Sequence, residues 1–185
     1  MSNLNSKLII LDRDGVINHD SDNYIRSVDE WQPINGSIEA IARLYQAGYV
    51  VTVATNQSGI GRGYYSVDVL NGMHAKMNEL VSAAGGRIAH IAYCPHLPTD
   101  NCDCRKPLPG LIRQIELATG ISASGHWMVG DSISDLQAGT AAGCNTALVL
   151  TGKGLRTQPK KRAEQDLKDC PEFEDLSLFV DWLLK

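Results

Sequence analysis

The sequence predicts an α/β protein, a doubly wound parallel sheet with helices on both faces. Three observations carry that expectation. Short apolar or β-branched runs alternate with helical periodicities over most of the chain. The connections between them are short. The first run, Leu-Ile-Ile-Leu at residues 8–11, is apolar throughout, as a strand buried on both faces must be.

Taken in order, residues 8–11 run straight into Asp12-Arg13-Asp14-Gly15, and a polar loop follows at 19–33. Ile38, Ile41, Ala42, Leu44 and Tyr45 recur at helical spacing and stop at Gly48. Residues 49–54 are a β-branched second strand. Ser66 is a good N-cap for a helix carrying Val69, Leu70, Met73, Met77, Leu80 and Val81. Residues 88–93 read as a third strand. A cysteine-bearing loop leads to a helix at about 109–119, with Pro109 in a tolerated first-turn position. A short fourth strand at 127–129 precedes a small-residue helix at about 133–142, and Gly143 leads into a fifth strand at 146–150. Residues 153–171 are polar and poorly periodic, and Lys160-Lys161-Arg162 is expected to be solvated surface. Leu176, Phe179, Val180 and Leu183 mark a last amphipathic helix packing back on the sheet. No internal repeat or second domain is evident, so residues 1–185 are expected to form one domain with its core over about 7–150.

At 185 residues, 43% hydrophobic and 21% charged, the chain is long enough for one sizeable core. A net charge of −4 gives no basic field for nucleic acid. No segment approaches bilayer-spanning length, and residues 1–6 are short and polar rather than a signal peptide. The expectation is a cytoplasmic protein with free thiols and no membrane partner.

Four strands are each followed by unusual polar residues. They are Asp12 and Asp14, then Thr55-Asn56-Gln57-Ser58-Gly59, then Arg105-Lys106-Pro107, then Gly130-Asp131-Ser132 with Asp135 four residues beyond Asp131. In a parallel sheet such loops share the edge where ligand chemistry gathers. Two carboxylates spaced like Asp12 and Asp14 lie on one side of an extended chain, and after a buried strand they point to Mg²⁺-dependent phosphoryl transfer. Asp135, on a first helical turn, is expected to complement the helix dipole or bond backbone amides, and ranks below Asp131 as a metal ligand. The Gly59-Ile60-Gly61-Arg62-Gly63 tract is no nucleotide fingerprint. Thr151-Gly152-Lys153-Gly154 lacks the upstream glycine of a phosphate-binding Walker loop, so ATP is not expected.

Of five cysteines, Cys94, Cys102 and Cys104 cluster within eleven residues together with His96. Three thiols and an imidazole form a closed tetrahedral set suited to structural Zn²⁺, with no position left for a catalytic water. Because Cys104 runs directly into Arg105 and Lys106, a zinc clamp on this loop fixes both cations.

In order and spacing, over roughly residues 7–150, the four motifs together resemble the haloacid dehalogenase (HAD) superfamily of phosphotransferases. The resemblance implies a Rossmann-like core and an aspartyl-phosphate formed on Asp12. It implies Mg²⁺ held by the Asp12 carboxylate, the Asp14 backbone carbonyl and Asp131. Thr55 and Asn56 then donate to phosphate oxygens, and Lys106 places a compact charge on the transferring group. Asp14 is the expected acid–base residue. Its reference pKa near 3.9 would have to rise by about two units, or about 2.7 kcal/mol, for a useful protonated fraction at neutral pH.

The cysteine loop followed by Arg-Lys-Pro narrows the resemblance to the zinc-containing subgroup of heptose 1,7-bisphosphate and histidinol-phosphate phosphatases. The runs 55–63 and 105–110 look more like the heptose family, while the short spacer between His96 and Cys102 suits both. With no large cap between Asn18 and Thr55, an open site is implied, shaped by short loops. Asp20 to Tyr24, with Gln57 and Ser58, would contact substrate, and Arg105 would recognise the distal part of the sugar. Ser132 stands at another contact position, where some relatives carry lysine. The expected reaction removes the 7-phosphate of a heptose 1,7-bisphosphate, on the route to nucleotide-activated heptose for the lipopolysaccharide core, by a monomeric enzyme. The alternatives are a histidinol-phosphate phosphatase and, more remotely, a non-catalytic zinc-stabilised binding module.

Overall fold

The computed structural model describes residues 7–185, so the polar start at residues 1–6 lies outside the described residues. Six parallel strands form one sheet in the order β3-β2-β1-β4-β5-β6. They are β1 (Lys7–Leu11), β2 (Tyr49–Asn56), β3 (Ile88–Cys94), β4 (Trp127–Gly130), β5 (Asn145–Val149) and β6 (Glu172–Phe173). The helices are α1 (Ser37–Gln46), α2 (Val67–Ala83), α3 (Gly110–Thr119), α4 (Ile133–Ala141), α5 (Gly154–Ala163) and α6 (Leu176–Leu183).

The strand period of two divides β1 between two cores. Ile9 and Leu11 face a cluster with Ile41 and Leu44 of α1, Leu70, Met73 and Met77 of α2, and Phe179 and Val180 of α6. Leu8 and Ile10 face the opposite cluster, with Leu111, Ile112 and Ile115 of α3, Met128, and Ala138 of α4. Every β1 residue from Leu8 to Leu11 is fully buried, which explains its uninterrupted apolar run. Ser66 caps α2, its hydroxyl accepting from the Val69 N–H.

The expected α/β class holds, and no large cap is inserted between β1 and β2. Two elements went unread in the sequence. Residues 154–163 form α5, although that stretch carries Pro159 and little apolar periodicity. Polar bonds hold it instead, since Thr157 Oγ1 donates to the Asp131 carbonyl at 2.8 Å. The expectation of a solvated basic run is corrected at its centre. Lys161 is buried, 3.1 Å from Glu172 and donating to the Cys170 carbonyl. The short strand β6 pairs with β5 through Leu148↔Glu172 and Val149↔Phe173. Among the described residues no helix is long and apolar enough to cross a membrane.

Candidate active site

Strand order places β1 centrally, and the loops after β1, β2, β3, β4 and β5 meet over its carboxyl end in a cleft of about 370 Å³. Its lining includes every residue expected to serve in catalysis, substrate contact or magnesium binding: Asp12, Asp14, Asp20, Tyr24, Thr55, Asn56, Gln57, Ser58, Arg105, Lys106, Asp131 and Ser132. Lys153 and Tyr65 join them.

The floor is a charge cluster. Lys106 Nζ lies 2.8 Å from Asp12 Oδ1 and 2.6 Å from Asp135 Oδ1, and donates to the Ala54 carbonyl at 2.7 Å. Burial works against its charge, but the two carboxylates outweigh it and hold the ammonium protonated. Asn56 fixes the Lys106 backbone reciprocally, its amide donating to the Lys106 carbonyl and its Oδ1 accepting from the Lys106 N–H, both at 3.1 Å. Asn56 thus spends its side chain on positioning Lys106. Asp135 does more than cap α4. Its Oδ2 accepts from the Ser132 N–H at 3.0 Å and the Ser132 hydroxyl at 2.6 Å, while Oδ1 faces Lys106.

Asp12, Asp131 and Asp135 bring carboxylate oxygens within 4.8 Å of one another. Burial, then the neighbouring Asp135, push Asp12 up to about 7, against the pull of Lys106. Burial, then Asp12 and Asp135, push Asp131 up to about 9. Crowded, desolvated carboxylates of this kind fit a hard divalent cation, which relieves their repulsion with oxygen ligands. Glycines allow the approach. A side chain on Gly15 (φ +85°) or Gly152 (φ +55°) would collide with Asp131 Oδ2.

Asp14 departs from expectation. Burial raises its pKa, but the adjacent Arg13 guanidinium and hydrogen bonds from Asn18, Arg13 and Gln57 outweigh that and lower it. Arg13 reaches Asp14 Oδ1 through Nε at 3.0 Å and Nη2 at 2.9 Å. Asn18 Nδ2 donates to Oδ1 at 2.8 Å, and Gln57 Nε2 to Oδ2 at 3.0 Å. Gln57 is itself oriented by Tyr65, whose hydroxyl donates to Oε1 at 2.5 Å. The raised pKa expected for Asp14 is therefore corrected: four donors on three side chains hold it ionised. Gln57 Nε2 also donates to Thr55 Oγ1 at 2.8 Å.

At the rim, Arg105 Nη1 donates to the His96 carbonyl at 3.3 Å, which ties it to the cysteine loop. Tyr24 adopts φ +67°, unusual for a bulky residue, and packs edge-on to Tyr64 at 5.2 Å. Lys153 was missed as a site residue. Its backbone N–H donates to Asp131 Oδ2 at 2.7 Å and its ammonium lies 3.1 Å from Asp20. The legible signal was its place just past β5, on the same sheet edge as the other loops. Arg13, Asn18 and Tyr65 carry no such signal, because their contacts form only when the loops fold.

Cys94, His96, Cys102 and Cys104 converge, their neighbouring donor atoms 3.3 to 3.7 Å apart. A tetrahedron with Zn–S bonds of about 2.3 Å has edges of roughly 3.8 Å, so the set fits zinc without rearrangement.

A HAD-hydrolase-like family model matches residues 103–175. A D-glycero-β-D-manno-heptose-1,7-bisphosphate 7-phosphatase of Pseudomonas aeruginosa is 56% identical over 182 residues, covering 98% of this chain and all of the relative. One from Neisseria meningitidis is 60% identical over 183 residues, covering 97% of this chain and 95% of its own. The chain belongs to the heptose-1,7-bisphosphate 7-phosphatase family. A member from Bordetella bronchiseptica, solved with magnesium and phosphate, superposes with a TM-score of 0.91 at 46% identity, over 96% of this chain and 98% of that one. The HAD-like fold and the phosphatase class follow from that membership.

Proposed function

We propose that this chain hydrolyses the 7-phosphate of D-glycero-β-D-manno-heptose 1,7-bisphosphate, leaving heptose 1-phosphate for nucleotide activation in lipopolysaccharide core synthesis. One observation carries the reading. Asp12, Lys106 and Asp131 converge in one cleft of a chain 56% identical, over 98% of its length, to a phosphatase of that name.

Asp12 is the nucleophile. One carboxylate oxygen attacks phosphorus as the bond to the C7 oxygen breaks, giving an aspartyl-phosphate that water then cleaves. Lys106, already 2.8 Å from Asp12, shares its charge between nucleophile and incoming phosphoryl oxygens. Thr55, buried beside Asp12 and Asp14, offers a hydroxyl to those oxygens. Asp14 suits the second step as it stands, since an ionised carboxylate takes a proton from water. For the first step it needs a proton, and the negative phosphoryl group raises its proton affinity on arrival.

Asp12, Asp131 and the Asp14 backbone carbonyl would hold Mg²⁺, which supplies neutralisation of phosphoryl charge. Zinc at the cysteine loop would be structural, clamping the segment that presents Arg105 and Lys106. Asp20, Tyr24, Gln57, Ser58, Arg105 and Ser132 shape the substrate end of the cleft. We read the protein as a cytoplasmic monomer in one catalytic domain.

The test is phosphate release from both anomers of heptose 1,7-bisphosphate and from histidinol phosphate, with Mg²⁺ and with EDTA. Mg²⁺-dependent preference for the β anomer is expected. Preference for histidinol phosphate would replace the substrate assignment, and absence of turnover with zinc bound would reject all three substrates.

A further inference from the structure

One cation facing the cleft has no part in the chemistry above. Among the described residues, three positive side chains line the cleft: Lys106, Arg105 and Lys153. Lys106 is sealed into the floor by Asp12, Asp135 and the Ala54 carbonyl. Lys153 stands at the rim, its side chain 46% exposed, with Asp20 as its ion-pair partner at 3.1 Å. Arg105 follows β3 and Lys153 follows β5, on opposite sides of β1.

We propose that Lys153 is a specificity-determining residue, binding the phosphate that does not react by exchanging Asp20 for it. This rests on the bisphosphate reading above. A second phosphate extends from the floor toward the rim, where its charge must meet cations. The Lys153–Asp20 pair balances the Asp20 carboxylate and keeps the ammonium at the mouth of the cleft. A lysine bears a compact charge on a flexible stem and can swing between two anions.

Its backbone does not need to move. The Lys153 N–H is held by Asp131 Oδ2 at 2.7 Å, and the preceding Thr151 hydroxyl donates to the Gly15 carbonyl at 2.6 Å. The substrate loop also keeps a second tie to α5 when Lys153 leaves Asp20, since Arg156 pairs with Asp22 at 3.1 Å. The side chain is free to exchange partners while both loops stay in place.

The experiment compares kcat/KM for heptose 1,7-bisphosphate and heptose 7-phosphate in wild type, Lys153→Met and Lys153→Arg. Loss of one charged contact predicts that Lys153→Met lowers the bisphosphate-over-monophosphate preference by about 10-fold or more, mainly through KM. Lys153→Arg should restore most of that preference. Equal losses on both substrates would overturn the proposal and leave Lys153 as a brace for Asp131 and Asp20. Failure of wild type to turn over heptose 1,7-bisphosphate would instead reject the substrate reading. The same ratio, measured with fructose 1,6-bisphosphate and fructose 6-phosphate, then decides the role of Lys153 by the same criterion.

Discussion

Asp135 Oδ1 lies 2.6 Å from the Lys106 ammonium, and both side chains are almost wholly withdrawn from water. This residue, far from a simple helix cap, shares the active-site lysine with Asp12 and helps to set its position. Removing one member of a buried pair costs about 3–5 kcal/mol where nothing else compensates the remaining charge. Lys106 retains Asp12 and the Ala54 carbonyl, so Asp135→Asn should fall at or below that range. Its kcat should drop by about 10-fold or more, with KM changed little, because Lys106 acts on developing charge. Urea unfolding with steady-state kinetics checks both. Wild-type kcat in a folded variant would show that Asp12 and the Ala54 carbonyl suffice to position the lysine.

Asp14 should be separable from binding. Asp14→Asn keeps the backbone carbonyl proposed for Mg²⁺, so calorimetric titration should find Mg²⁺ and phosphate affinity retained, while turnover falls by about 100-fold or more. Tyr65→Phe removes the donor that orients Gln57 against Asp14 and should give a smaller loss, about threefold to tenfold, in kcat. Normal turnover in Asp14→Asn would remove it from the mechanism.

Much of the site was legible because parallel topology puts every loop after a strand on one edge. That rule brought Asp12, Thr55, Lys106 and Asp131 together, and the family resemblance supplied their expected roles. What stayed hidden depends on three-dimensional contact. The protonation state of Asp14 is set by Arg13, Asn18 and Gln57 in the folded loops, and spacing alone weighs only desolvation and nearby carboxylates. The helix α5 escaped notice because its stability comes from Thr157 and Lys161 bonding to other segments, not from an apolar stripe. Lys153 was read against a nucleotide-binding pattern, and its place after β5 was the better guide.

Zinc at the cysteine loop should be needed for catalysis although it touches no substrate. The loop continues through Arg105, whose guanidinium bonds to the His96 carbonyl, into Lys106. Elemental analysis should give one zinc per chain. Cys102→Ser should lose it, lower the melting temperature and weaken activity in kcat and KM together, as Lys106 and Arg105 lose their support. Full activity in zinc-free protein would confine the cluster to a purely local role.

Magnesium affinity should rise with pH. Asp12 and Asp131 stand at about 7 and about 9, against an ordinary carboxylate value of 3.8. A carboxyl raised by folding keeps its proton where the unfolded chain has lost it. These two groups therefore stabilise the metal-free fold most at acid pH, and that contribution fades as pH climbs through about 4 toward 9. A divalent cation must displace the same protons, so its affinity should be lower at about pH 6 than at about pH 9 by at least 10-fold. The rise in melting temperature on adding Mg²⁺ should widen over the same interval, and calorimetry in buffers of different ionisation enthalpy should detect protons released on binding. Asp131→Asn should flatten the dependence and weaken binding at every pH. An Mg²⁺ affinity constant across this range, with no proton release, would mean that the Asp12–Asp131 pair is already ionised without the metal.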